Sequence, residues 1–331
     1  MKISVVAAAR EDDSPVEEPL RVATVADRLG YDEVWAGEGP TWDSFVLAAA
    51  VGHVTERVSV TAGPVPVSVR DPLTIARGAA SAAAVIGRPV GVALGTSSKR
   101  VVEGVHGRPR TRPAAELARS AEAVRALLHG EPGEPIMPGS SFRRRQRPPG
   151  GPLTVAAFGD RAIAAAAEHA DRMLLDVVSP EQVAALRAKL AAAERVGRTP
   201  PRLAAWLPAA VDPEPESVRQ ILGSVVGYLT VPGYSDMFTT AGFGESVEQA
   251  RSGADREALL AKLPREAATT VGLVGDLAAV EARIAAYAAA GLDEIALVPA
   301  TDGDPAGERT LTALAPGARE GTPSATRRNT T

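Results

Sequence analysis

A chain of 331 residues, 45% hydrophobic and 23% charged, is long enough to bury a large core, and its net charge of −4 leaves no basic footprint for nucleic acid. It contains no cysteine, which excludes disulfides, thiolate nucleophiles and Cys-ligated metals. The opening MKISVVAAAR gives only a short apolar run before Glu11, Asp12 and Asp13, so neither a signal peptide nor a membrane span is expected and the cytoplasm is the default location.

Residues 3–8 read as a first strand; Val22, Val25, Ala26 and Leu29 then recur at helical spacing until Gly30 stops the helix. Residues 33–37 form the next strand, 43–54 a helix, 58–67 a strand, 71–86 a helix and 90–95 a strand. This is β followed by α, four times over in units of roughly 30 residues, the pattern of right-handed parallel βαβ stacking. The stretches RVSVTAGPVPVSVRDP and PVGVALGTSSKR each break a β-branched apolar run at Gly, as buried strands do where their C-terminal ends deliver backbone to a ligand.

The helix expected over 112–129 presents Leu117, Ala121, Val124, Leu127 and Leu128 on one face. Residues 130–152 are too rich in Pro and Gly for either element and read as an excursion with a short hairpin. Their Arg143, Arg144, Arg145 and Arg147 invite a polyanion, but the segment returns a helix to a strand on the face opposite a barrel's site, so a solvated loop is the expectation. Strands are expected at 153–158, 172–178 and 202–211, with helices at 160–170 and 180–196.

The eighth strand, 294–299, comes late, after an insertion over 212–270 that gathers Tyr228, Tyr234, Phe238 and Phe243 and reads as a lid or an interface. Val280, Ile284 and Tyr287 mark the last helix, with Gly291 as its cap. Residues 316–331 lack periodicity and apolar content and are expected to be disordered. The fold expected is α/β, a (β/α)8 TIM barrel of one domain over 1–315.

A barrel binds its ligand over the strand C-termini. There the chain offers Ala9 and Arg10, then Glu38 to Trp42, Gly63 to Pro66, Gly95 to Arg100, and Ala157 to Arg161. No metal site is expected: His53, His106, His129 and His169 are scattered, and none pairs with a second ligand at metal spacing. His53, His129 and His169 fall near helix C-termini, and only His106, near the mouth, is a candidate for touching substrate. Gly95, Thr96, Ser97 and Ser98 give hydroxyls and amides, or simply cap a loop; Gly159 and Asp160 open a helix whose free N–H groups suit a phosphate, or make an ordinary start with Asp160 as N-cap. A rim of small residues and backbone donors suits a large planar cofactor with a phosphate tail.

The segments ADRLGYDEVWAGEGPTWDSF, TERVSVTAGPVPVSVRDPLTIAR, GVALGTSSKRVVEGVHGRPRTRP and VAAFGDRAIAAAAEHAD, in this order, resemble the luciferase-like flavin and deazaflavin oxidoreductase superfamily, and within it the coenzyme F420-dependent reductases of actinobacterial type. The resemblance covers residues 1 to about 200 and returns in TVGLVGDLAAVEARIAAYAAAGLDEIAL. It implies a (β/α)8 barrel whose cofactor ring rests on a bulge after strand three with a non-prolyl cis peptide, here around Ala62, Gly63, Pro64 and Val65. The family's phosphate contacts fall on Gly95 to Ser98 and on Ala157, Phe158, Gly159, Asp160 and Arg161. Two departures matter. Where flavin monooxygenases carry a Glu-His-His run after strand two, this chain has Glu38, Gly39 and Pro40, and where sugar-phosphate and alcohol dehydrogenases of the deazaflavin branch place a His before Trp42 and a Glu after the strand-four Gly-Thr, it has Glu38 and Ser98.

The function expected is hydride transfer from reduced coenzyme F420 to a C=C or C=N bond of a small molecule. Glu38 would act as acid or proton shuttle, or hold its loop through backbone amides; Trp42 would fix the ring's face, or serve as wall. Tyr228, Tyr234 and Phe238 would close over substrate, or form a dimer contact. The alternatives are a monooxygenase using reduced FMN and a barrel that binds a cofactor without turnover. A homodimer is expected, with no nucleic acid or membrane partner.

Overall fold

Alternation within the strands builds the architecture. The computed structural model describes residues 1–10, 14–193 and 197–320. Strands β1 (Lys2–Ala7), β2 (Glu33–Ala36), β3 (Ser59–Pro66), β4 (Val90–Gly95), β5 (Gly150–Ala156), β6 (Arg172–Asp176) and β7 (Arg202–Val211) pair in parallel in chain order. A short β8 (Leu273–Gly275) attaches to the end of β7, and β9 (Glu294–Pro299) pairs with both β7 and β1, closing an eight-stranded barrel that leaves β8 outside the ring. The expected barrel is therefore present, and the eighth strand falls at its expected position.

Helices α1 (Glu18–Arg28), α2 (Ser44–Val54), α3 (Pro72–Ile86), α4 (Pro113–Leu127), α5 (Asp160–His169) and α6 (Pro180–Ala192) alternate with the strands. Short acidic or hydroxyl side chains start several of them: Asp43 accepts from the Phe45 and Val46 amides, Asp71 from Thr74 and Ser179 from Gln182. Outward-facing Val5, Val34, Val60, Val92, Leu153 and Met173 pack beneath this shell in the main core.

The inward faces form a second core of Val6, Trp35, Ala93, Leu174, Ala204 and Ala296, with Trp206 edge-on to Trp35 at 5.8 Å. Its floor is charged. Arg172, the first residue of β6, is fully buried and donates to Glu33 at 2.8 Å, Glu294 at 2.9 Å, Thr61 at 3.2 Å and Thr154 at 3.1 Å, with its guanidinium 4.0 Å from the Trp35 ring. Lys2 adds a 2.7 Å pair to Glu33. Lys2, Glu33, Arg172 and Glu294 each open a strand, so this network plugs the N-terminal end of the barrel.

The insertion after β7 holds α7 (Pro215–Val226), α8 (Tyr234–Phe238), α9 (Gly244–Arg251), α10 (Arg256–Lys262) and α11 (Glu266–Val271), before β8 and α12 (Leu277–Ala289). Residues 130–149 contain the expected hairpin turn: Ile136 N–H donates to Phe142 O at 3.0 Å and Arg144 N–H to Glu134 O at 2.8 Å. They are not simply a solvated loop, because the Arg144 guanidinium is half-buried and donates to the Leu127 carbonyl at 2.7 Å. Past β9 come α13 (Glu308–Ala313) and α14 (Pro316–Glu320), so the expected tail begins in a short helix; residues 321–331 lie outside the described residues.

Candidate active site

Three of the expected rim segments meet through β3. The β3–β4 register shifts between Ala62 and Val65, which places the bulge inside β3 rather than after it. Gly63 sits there at φ +112, and a Cβ on it would lie 2.4 Å from the Ala93 carbonyl oxygen, so only glycine fits. The Gly63–Pro64 peptide is cis, and since proline follows the bond, the cis peptide is prolyl and not the non-prolyl one the resemblance implied. Pro64 then faces β4 and β5: a Cβ on Gly95 would lie 3.2 Å from Pro64 Cβ and 3.7 Å from Ala156 Cβ. The result is a shelf of small and ring carbons at the barrel mouth.

The Gly95–Ser98 loop is held from below. Arg110 donates to the Ser97 carbonyl at 3.0 Å and to Thr96 Oγ1 at 3.2 Å, and Ser98 Oγ accepts from the Val101 amide at 3.2 Å, so the hydroxyls are partly committed to the loop itself. Across the shelf, α5 starts with Gly159 and not Asp160 as its N-cap, and no side chain caps it. The Asp160 carboxylate turns to Lys189 at 2.8 Å; the Ala162 and Ile163 amides donate to the Gly159 carbonyl, which leaves the Asp160 and Arg161 amides to a ligand, and the Arg161 side chain is exposed. Trp206, paired in register with Asp176, has an indole Nε1 that is buried and finds no acceptor among the described residues. Small rim residues, free backbone donors and an orphaned indole fit a planar ring with an anionic arm.

Glu38 is tied down. It accepts from Arg70 at 2.6 Å and from the Ser44 amide at 2.8 Å. Arg70 also pairs with Asp43 at 2.8 Å; burial works against its charge, but Glu38 and Asp43 outweigh that and raise its pKa. Trp42 packs its part-buried ring on the main core and donates Nε1–H to the Val16 carbonyl at 3.0 Å. His106 is exposed at the end of a π-helical turn, Arg100–Val105, that the sequence pattern did not reveal.

The insertion's aromatics divide. Phe158, just after β5, stacks on Tyr234 at 4.4 Å, and Tyr234 lies 4.8 Å from Tyr228. Phe238 is fully buried in the insertion against Phe243 and is not among the rings at the rim.

The residue that sequence reasoning missed is Asp176, at the C-terminal end of β6. It shares the inward face of that strand with Arg172 and Leu174, and it accepts a hydrogen bond from the Tyr228 hydroxyl. Burial pushes its carboxyl up to about 6, against the smaller opposing pull of the Tyr228 hydroxyl and the Val177 amide. The signal was present in RMLLD: a carboxylate ending an apolar strand in phase with its inward arginine. The rim candidates legible in the sequence came from the ends of the first five strands, and Asp176 ends the sixth.

The chain matches the sequence model described as luciferase-like monooxygenase over residues 1–294. No curated protein sequence matches it. Among solved structures it is similar to a coenzyme F420-dependent tetrahydromethanopterin reductase from Methanopyrus kandleri, with TM-score 0.78 and 16% identity over 97% of this chain and 99% of that one. It is similar to an F420-dependent secondary alcohol dehydrogenase in complex with an F420-acetone adduct (TM-score 0.73, 15% identity, 96% and 99% covered). An EDTA monooxygenase from Chelativorans sp. BNC1 is also similar (TM-score 0.66, 16% identity, 97% and 93% covered). At these identities the solved structures speak for the fold alone, while the match across most of the chain's length, on a closed barrel with a bulged third strand, makes this chain a member of the luciferase-like monooxygenase family.

Proposed function

We propose that the protein is a reduced-deazaflavin-dependent oxidoreductase that passes a hydride to a C=C or C=N bond of a small molecule, acting as a homodimer. The observation that carries this reading is the pairing of an apolar shelf at Pro64, Gly95 and Ala156 with a carboxyl at Asp176 that stays partly protonated near neutrality. Ala62 to Val65 would carry the ring; Gly95 to Ser98 and the segment Ala157 to Arg161, through the Asp160 and Arg161 amides at the start of α5, would hold the anionic arm. A bound reduced deazaflavin supplies the hydride.

The chain's own contribution is the proton and the orientation. Reducing C=N or C=C needs one proton for each hydride, delivered to the neighbouring atom. Asp176 is our choice of donor over Glu38, because both Glu38 oxygens are committed to Arg70 and the Ser44 amide, whereas Asp176 meets one hydroxyl and one amide. Glu38 then positions the loop that carries Trp42. Tyr228 keeps the Asp176 carboxyl in place, and Tyr234 with Phe158 walls off water.

A second reading, monooxygenation with reduced FMN, draws on the description of the matching family and on the similar EDTA monooxygenase. Incubation of the protein with coenzyme F420 and with FMN separates the two. Binding of the deazaflavin with no oxygen uptake is expected; oxygen consumption with reduced FMN, and none of the deazaflavin bound, would replace the first reading with the second. Binding of either without oxidation by any acceptor would leave a barrel without turnover.

A further inference from the structure

On the outside of the barrel, the 130–149 segment folds against α3 and α4 and borders a half-open cavity of about 560 Å³. Volumes of about 300–1,000 Å³ are usual for sites that take small organic ligands. Leu73, Ala76, Leu127 and Ile136 make its apolar side, and Phe142, 73% exposed, stands at its edge. Arg77, Arg143, Arg145 and Arg147 line the rest.

These arginines are held ready without being used. Arg144 donates to the Leu127 carbonyl at 2.7 Å and Gln146 reaches Ser81 at 3.5 Å, which pins the segment to α4 and α3. Residues 143, 145 and 147 flank those pins in an irregular stretch that bends at Gln146. Among the described residues, Arg77, Arg143, Arg145 and Arg147 make no ion pair or side-chain hydrogen bond, whereas Arg10, Arg70, Arg125, Arg172 and Arg187 all pair with carboxylates. All four are exposed and line one groove with no carboxylate at ion-pair distance among the described residues, so an anion seated between them gains charge-assisted hydrogen bonds. A nucleic-acid backbone would make no use of the apolar side, and the chain's net charge of −4 opposes it.

We propose that this cavity binds a small amphipathic anion, an organic phosphate, sulfate or carboxylate whose apolar body lies on Leu73, Leu127 and Ile136 while its charged end meets Arg143, Arg145, Arg147 and Arg77. Its lining shares no residue with the candidate cofactor site at the barrel mouth.

The test is calorimetric titration of the full-length protein with decyl phosphate below its micelle concentration, alongside decanol and inorganic phosphate. Saturable binding of decyl phosphate is expected, with the two controls far weaker. Arg143→Gln combined with Arg145→Gln should weaken it at least about tenfold, since charge-assisted hydrogen bonds are lost. Phe142→Ser should weaken it by a smaller factor. All three side chains are exposed, so an unchanged unfolding midpoint verifies the fold of each variant. No binding of decyl phosphate, equal binding by the variants, or binding only of duplex DNA or of anionic vesicles would overturn the proposal. A concentration-dependent dimer abolished by Phe142→Ser, with no uptake of decyl phosphate, would overturn it in favour of a second copy of the chain.

Discussion

Strand β6 carries Arg172 at one end of the barrel and Asp176 at the other, on the same inward face, and the two ends treat buried charge in opposite ways. At the floor, burial acts to raise the Glu33 carboxyl, yet Arg172 and Lys2 bring it down to about 2. At the mouth, Asp176 faces a tyrosine hydroxyl and a backbone amide but, among the described residues, no cation, and burial lifts it to about 6. Both carboxylates lie in the barrel interior, so the number of cations in reach decides whether each carries charge or a proton, not depth. The floor is saturated and serves stability; the mouth is undersupplied, and that is where a proton can be given or taken.

The comparison breaks most sharply at Arg172. Arg172→Met leaves Glu294 buried without its close cation and Glu33 with Lys2 alone, and should cost roughly 3–5 kcal/mol in urea unfolding. Adding Glu33→Gln and Glu294→Gln to that variant should recover much of the loss.

Next come the opposite pH dependences. Asp176 has a folded pKa above its ordinary 3.8, so its stabilisation is complete below that value and is lost as pH rises toward about 6. Glu33 has a folded pKa below its ordinary 4.5, so its stabilisation is present above that value and is lost as pH falls through about 2. Asp176→Asn should therefore remove a decline of about 1–3 kcal/mol between the ordinary value and the raised one, partial exposure reducing it. Unfolding midpoints across that window should flatten, while the acid limb, to which Glu33 contributes together with Asp27, Asp43, Asp71 and Glu181, stays.

Gly63→Ala should cost about 1–3 kcal/mol, because the residue sits at φ +112 against the Ala93 carbonyl. It should also weaken ring binding at the shelf by displacing Pro64. The smallest effect expected is that of Glu38→Gln, which removes a charge from the pair with Arg70 but keeps an acceptor for the Ser44 amide; the loss should be no more than about 1 kcal/mol. If Glu38→Gln abolished hydride transfer and Asp176→Asn did not, the two carboxylates would exchange roles.

The order of the βα units was legible because every barrel strand is a short apolar run, in β3, β4 and β9 rich in β-branched or aliphatic residues and ended by Gly or Pro, and several of the helices begin at an Asp or Ser cap; β4, β7 and β9 match their expected limits to the residue. The bulge at Ala62 to Val65 was legible through the resemblance, although the prolyl nature of its cis bond could have been read directly from Pro64. The Arg172 plug was not, since it joins residues 139 and 122 positions apart in sequence, and no local pattern reports such contacts. The short β8 was hidden for a related reason: it has only three residues and owes its form to the end of β7. Asp176 and Tyr228 are likewise 52 positions apart, and only the folded insertion brings the hydroxyl to the carboxyl.

All three tryptophans report on the barrel: Trp35 and Trp206 fill its interior and Trp42 stands on the strand-two loop. Fluorescence titration of the purified protein with coenzyme F420 therefore tests the central claim directly. Saturable quenching of tryptophan emission at one deazaflavin per chain is the result expected, diminished in Gly63→Ala. Emission unchanged by coenzyme F420 and by FMN, at concentrations well above those at which such cofactors usually bind, would contradict it.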